Sequence, residues 1–230
     1  MKDGKDDDRA RLYLQLAAED LNKKEYSHAL DNTFKSLEFN PNYAAAYNQL
    51  ALVYMETKRF DKADEAFKKA LEIRSDYPEV FNNIGVLRNR QQKYQEAIPY
   101  FRKALADERY VTPENALTNM GQSYYKLGEI SKARKYHHQA LDIMPSFCLA
   151  NKNLADTYAK QKDYDKSSKY YEQAVTHCPL YQESHYKLGL ALMKAGRKRL
   201  AQQQLEKLVL RHKNGPYVER SEKVLKYLQN

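Results

Sequence analysis

The sequence predicts an all-α protein, a right-handed superhelical solenoid of six helix pairs closed by a C-terminal capping helix. Three observations lead there. The chain matches itself at an interval of 34 residues, in blocks 10–43, 44–77, 78–111, 114–147, 148–181 and 182–215, with Thr112-Pro113 as a two-residue insertion. Within each half-block apolar residues recur at spacings of three and four, the period of an amphipathic helix. Gly and Pro number only seven each in 230 residues, so breaks are sparse and helices dominate. A fixed period of this length means one helical hairpin repeated, each unable to bury its apolar face without a neighbour.

Residues 1–9, with the run Asp6-Asp7-Asp8, read as a disordered charged tail. In the blocks that follow, position 7 is large and apolar: Leu16, Leu50, Ile84, Met120, Leu154, Leu188. Position 8 is tiny (Ala17, Ala51, Gly85, Gly121, Ala155, Gly189), and so is position 20 (Ala29, Ala63, Ala97, Ala133, Ser167, Ala201). Small residues there let two antiparallel helices approach closely, and bulky ones at positions 17 and 24, such as Phe60, Phe67 and Phe101, fill the space beside them. The break between helices falls near positions 14–17, where Gly128 and Gly196 suit a helix C-terminus with positive φ. Pro41, Pro145 and Pro179 sit near block ends, where a helix stops. Pro99 is expected in a first turn, where a missing N–H costs little. Residues 216–230 place Tyr217, Val218, Val224, Leu225 and Leu228 along a further helix, a solvating cap.

These residues resemble the tetratricopeptide repeat family over most of the chain. That resemblance implies a concave face lined by positions 2, 5, 9, 12 and 13 of each block, available to a protein partner. The partner-binding candidates are Leu14, Leu21, Asn48, Leu52, Met55, Asn82 and Val86 in the first half, and Gln122, Tyr125, Lys126 and Lys152 in the second. The first half offers Leu and Met beside amides that can pair with the main chain of an extended segment. The second carries a lysine row, Lys126, Lys152, Lys160 and Lys194. The chaperone-binding subclass, with Lys at position 5 and Asn at position 9 of one block, does not fit, since Lys152 is followed by Asp156.

No phosphate-cradling glycine loop and no Gly-x-Ser-x-Gly elbow occurs. His137 occupies a core-facing position, and His137-His138 has no second ligand pair at metal spacing. His177-Cys178 are neighbours on a helix and do not face one another as a thiol and its base would. The reading is therefore no enzyme, no cofactor and no metal. Cys148 and Cys178, at positions 1 and 31 of one block, are expected to lie too far apart to bridge and to remain free thiols.

The net charge is +9, unevenly placed. Residues 182–230 hold 11 Lys and Arg against 4 Asp and Glu, a net +7; the rest hold 28 against 26, a net +2. Such an end attracts anionic lipid or an acidic partner weakly and through salt-sensitive contacts, with no nucleic-acid reading implied. No window approaches the ~18 apolar residues of a membrane span, and no apolar export segment follows Met1.

A narrower resemblance lies in Tyr47-Asn48-Gln49-Leu50-Ala51, Phe81-Asn82-Asn83-Ile84-Gly85 and the stretched junction Asp107-Glu108-Arg109-Tyr110-Val111-Thr112-Pro113-Glu114-Asn115-Ala116. These are similar to the type IV pilus biogenesis lipoproteins, the pilotins (PilF/PilW/Tgl-like). The resemblance implies a monomeric scaffold at the periplasmic face of the outer membrane, lipid-anchored, assisting assembly of a secretin subunit. No lipid-accepting Cys stands at the start of this sequence, so the expectation is that the anchor has been removed or never existed. The alternative is a general cytoplasmic adaptor binding a peptide segment of a partner.

Overall fold

The computed structural model describes residues 2–229, with side chains from 4 to 228. Thirteen α-helices and no strand occur among the described residues. They are α1 (Lys2–Asn22), α2 (Tyr26–Phe39), α3 (Ala44–Glu56), α4 (Phe60–Ile73), α5 (Pro78–Arg90), α6 (Tyr94–Leu105), α7 (Pro113–Lys126), α8 (Ile130–Ile143), α9 (Cys148–Lys160), α10 (Tyr164–His177), α11 (Gln182–Lys194), α12 (Lys198–Arg211) and α13 (Pro216–Gln229). The chain divides after Val111 into two compact units. The first stacks the pairs α1/α2, α3/α4 and α5/α6; the second stacks α7/α8, α9/α10 and α11/α12, with α13 packed on the last pair.

Each hairpin closes by the same device. Position 15 of every block has positive φ: Lys24, Lys58, Gln92 and Lys162 lie at 58–64°, Gly128 and Gly196 at 81° and 77°. This left-handed residue turns the chain so that the next helix runs back along the first. The tiny residue at position 8 answers a specific neighbour, the side chain sixteen residues later at position 24. A Cβ on Gly85 would lie 2.5 Å from the Phe101 ring, on Gly121 2.6 Å from His137, and on Gly189 2.5 Å from Leu205. Phe101, His137 and Leu205 are all fully buried. Leu16 departs from its five counterparts and stays exposed, because no preceding pair covers it.

Three expectations are corrected. Residues 2–9 continue α1 rather than forming a disordered tail. The end of α2 holds them: Asn40 Nδ2 donates to Asp7 at 2.8 Å, Ser36 Oγ donates to the Ala10 carbonyl at 2.7 Å, and the Arg9 guanidinium lies 5.3 Å over the Phe39 ring. Pro99 is inside α6, beyond its first turn, so the Gln95 carbonyl loses its normal partner. Finally, Cys148 and Cys178 form a disulfide, with Cα atoms 6.1 Å apart. Positions 1 and 31 are a repeat apart in sequence only. In an antiparallel hairpin the start of one helix and the end of the next meet at the same end, within disulfide reach. The bond also removes Cys178 as a candidate thiol nucleophile.

Candidate functional site

The first helices of the first unit, α1, α3 and α5, carry its partner-binding candidates. Leu14, Leu21, Leu52 and Val86 are half-buried, and Leu52 and Val86 already pack on the core. Met55 belongs to that core, only 2% exposed, and is not available to a partner. Its position is filled from inside because α3 is flanked by both α1 and α5. The amides are partly spent between helices: Asn83 Nδ2 donates to Asn48 Oδ1 at 3.0 Å, Asn82 is buried beside them, and Gln49 Nε2 donates to the Ala17 carbonyl at 3.2 Å. At position 13, Arg90 donates to Glu56 and to the Met55 carbonyl, so the two charges cancel.

The first helices of the second unit, α7, α9 and α11, present charge and tyrosine instead. Lys152 is drawn into a charge-balanced network with Asp156 (3.1 Å) and Glu183 (3.3 Å). Lys187 pairs with the same two carboxylates at 2.9 and 2.8 Å. The Tyr171 hydroxyl donates to Asp156, and that of Tyr181 to Glu183 at 3.1 Å. Burial opposes the charges on Lys152 and Lys187, but the facing carboxylates outweigh it and hold both ammonium groups above their usual value. Burial similarly works against ionised Glu183, yet Lys187 and Lys152 bring its pKa below the usual range. Burial, with Asp156 adjacent, keeps Tyr171 protonated, and burial beside Glu183 pushes Tyr181 up to about 12. Sequence reasoning took Lys152 as a groove charge and passed over Lys187; the Glu183–Lys187 spacing of four on α11 was the available signal.

Of the remaining candidates, Gln122 and Tyr125 are half-buried and Lys126 is exposed. The Lys160 ammonium lies 4.7 Å from the Tyr125 ring centre and that of Lys194 5.3 Å from Tyr164. Among the described residues no cluster suits a metal ion. His137 faces Gly121, while His138 meets the Tyr158 hydroxyl at 3.3 Å, so the two imidazoles do not converge. Burial pushes His137 down to about 3. At the basic end Arg197 is bound to Asp165 at 2.6 Å, whereas Lys198 and Arg199 are exposed. Among the described residues no helix is long and apolar enough to cross a membrane.

No curated protein sequence matches the chain. Among solved structures it is similar to PilW, described as a widely conserved type IV pilus biogenesis factor, at 27% identity and a TM-score of 0.81, over 92% of this chain and 97% of that one. It shares its fold with Pseudomonas aeruginosa pilF (22% identity, TM-score 0.78, covering 95% and 98%). It shares it also with a chain of the APC/C hetero-tetramer Cut9-Hcn1 (17% identity, TM-score 0.81, 96% of this chain and 43% of that one). Models of the tetratricopeptide repeat match residues 42–107, 76–146, 112–179 and 183–215, and none of the matches is to a catalytic family. With these repeats covering well over half of its length, the chain belongs to the tetratricopeptide repeat family.

Proposed function

We propose that this protein-interaction scaffold is a pilotin-like factor of type IV pilus biogenesis, acting without catalysis on the assembly or outer-membrane targeting of a secretin subunit. The observation that carries the reading is the likeness to PilW, which spans nearly the whole of both chains at 27% identity. The Cys148–Cys178 disulfide supports the same compartment, because such bonds persist in oxidising spaces such as the periplasm and are rare in the cytosol. It weighs against the cytoplasmic adaptor reading. On this reading the chain works as a monomer. The half-buried Leu14, Leu21, Leu52 and Val86 provide the apolar contact.

The test is a pull-down of secretin fragments by wild type, Leu14→Glu and Leu52→Glu, with circular dichroism as the control for folding. Burying one such side chain is worth ~1.5–3 kcal/mol, so each variant is expected to bind about tenfold more weakly. Equal retention would remove the groove assignment. Failure of wild type to recover any secretin fragment would remove the pilotin reading.

A further inference from the structure

The first-helix face of the second unit holds three positive charges that pair with no carboxylate among the described residues. Lys126, Lys160 and Lys194 occupy position 13 of three successive blocks, at the ends of α7, α9 and α11, and all are exposed. No carboxylate among the described residues lies within ion-pair distance of any of them; their recorded neighbours are aromatic, Tyr125 for Lys160 and Tyr164 for Lys194. The corresponding row in the first unit is Asn22, Glu56 and Arg90, where the last two pair with each other. The lysine row is thus a property of the second unit alone.

Beside it is a small cleft of about 130 Å³. Its lining comes from Ala159, Tyr164 and Tyr171 of α9 and α10 and from Lys187, Leu190, Ala191 and Lys194 of α11. By volume that is room for about four waters, the size of a branched aliphatic side chain. Its floor is fixed, since the Tyr171 hydroxyl is tied to Asp156 and Asp156 to Lys187 at 2.9 Å. Those network charges are already matched, so they shape the site without adding net attraction. A polyproline-II segment has three residues per turn and rises ~3.1 Å per residue, so every third side chain lies on one face, ~9 Å from the last. Acidic residues at that interval therefore present a row of carboxylates to the row of lysines.

We propose that the first-helix face of the second unit binds an extended acidic segment of a protein partner, its carboxylates pairing in turn with Lys126, Lys160 and Lys194 and an aliphatic side chain between them entering the Ala159–Leu190 cleft. This deepens the scaffold reading and rests on it for the existence of a partner. The site is separate from the apolar face of the first unit.

The test is fluorescence anisotropy with a labelled, C-terminally amidated synthetic peptide carrying Glu at every third position and Val or Ala between. The peptide is expected to bind at low salt and to weaken as salt rises. Lys160→Glu and Lys194→Glu should each loosen it at least about tenfold, because an attraction becomes a repulsion. Ala159→Leu, which fills the cleft, should loosen it several-fold, and Lys169→Glu, an exposed lysine on α10, should leave it unchanged. Equal binding of a peptide with Gln in place of Glu, or equal binding by all variants, overturns the proposal. So does binding to phosphatidylglycerol vesicles with none to the peptide. If the peptide fails while secretin capture still depends on Leu52, the acidic-segment site falls and the scaffold reading stands; the opposite pattern removes the secretin and keeps the site.

Discussion

The two units are built on one repeat but held by different forces. The core of the first unit is a broad apolar cluster around Leu50, Met55, Phe67, Val80, Ile84 and Leu87. The second has a cluster of Ala155, Tyr171, Leu188 and Ala191, also buries Leu117, Met120, Leu154, Leu205 and Leu208, and puts His137 where the first has Phe101. Every buried side-chain polar atom without a hydrogen-bond partner among the described residues lies in the second unit: on Thr118, His137, Ser167, Ser184 and His212. The second unit also has the disulfide and the Lys152–Asp156–Glu183–Lys187 network. In the second unit the cross-link and the matched charges are added to an apolar core rather than standing in for one. The inner face of that unit is polar and charged where the first offers Leu and Val.

The largest contrast should appear at position 24. Phe101 is fully buried against Gly85, and Phe101→Ala should cost about 3–5 kcal/mol, the usual range for deleting a core aromatic. His137→Ala empties the same slot in the second unit but also removes a buried imidazole whose two nitrogens have no partner. Relief of that penalty, ~1–3 kcal/mol, should make the second substitution clearly the milder. Urea unfolding of the two variants measures the difference; equal costs would mean that the two cores are energetically alike.

Next in size is the disulfide. It closes a loop of sequence separation 30, for which the chain-entropy account gives about 3–4 kcal/mol. Cys148→Ser/Cys178→Ser should lower the unfolding midpoint of the second unit, read from Tyr exchange protection on α9 and α10, and leave α3 and α4 unmoved. Thiol titration of the unfolded, unreduced wild type should find no free thiol. Two free thiols would return the chain to the unbridged state and withdraw the compartment argument.

This bond also marks where counting along the sequence misleads. The 34-residue period and its small and large positions prescribe pairs of helices, and helices are what form. The antiparallel pairing they predict already sets the start of one helix beside the end of the next, so positions 1 and 31 are neighbours in the fold; a separation of 30 residues along the chain is not a separation in space. The same limit applies to the site. Position numbers placed Met55 on the inner face, but how far a half-exposed position sinks depends on the helices on either side of it. Lys152 read as a free cation although Asp156, four residues on along α9, and Glu183 at the start of α11 both stand at groove positions; the position numbers did not show that the three side chains converge. Leu14, Leu21, Leu52 and Val86 are partly accessible because α1, α3 and α5 leave that side uncovered, which the pattern did suggest.

Acid should separate the units further. Burial lowers His137 to about 3, and burial also lowers His138 and His185, all in the second unit; the only histidine of the first, His28, is exposed. A histidine depressed in the fold is held neutral there, while the unfolded chain takes up its proton near pH 6.5. Its contribution is therefore complete above about pH 6.5 and lost as pH falls toward 3, at ~1.4 kcal/mol per pH unit. Between pH 6.5 and 5, above the range where carboxylates titrate, the second unit should lose stability and the first should not. His137→Phe, which copies the Phe101–Gly85 contact, should flatten most of that slope. An unchanged slope would assign it to His138 and His185.

The smallest expected effect is at the hairpin turns, where the units again differ. The first uses Lys24, Lys58 and Gln92 in the left-handed region; the second uses Gly128, Lys162 and Gly196. A side chain at positive φ costs more than glycine does, by roughly 1 kcal/mol, whereas glycine gives back part of that through the greater freedom of the unfolded chain. Lys58→Gly and Gln92→Gly should therefore stabilise the first unit by no more than ~0.5–1 kcal/mol, and Gly128→Ala should destabilise the second by about 1 kcal/mol. A Cβ on Gly128 meets nothing within 4 Å, so any cost at that position comes from backbone conformation and not from a clash. Gly85→Ala is the counter-case, since its Cβ would enter the Phe101 ring, and it should cost more than Gly128→Ala. Thermal unfolding of the four variants orders them. If Gly128→Ala proves the more harmful of the two alanine substitutions, turn conformation limits the stability of this repeat more than helix-to-helix contact does, and the contrast between the cores loses its leading place.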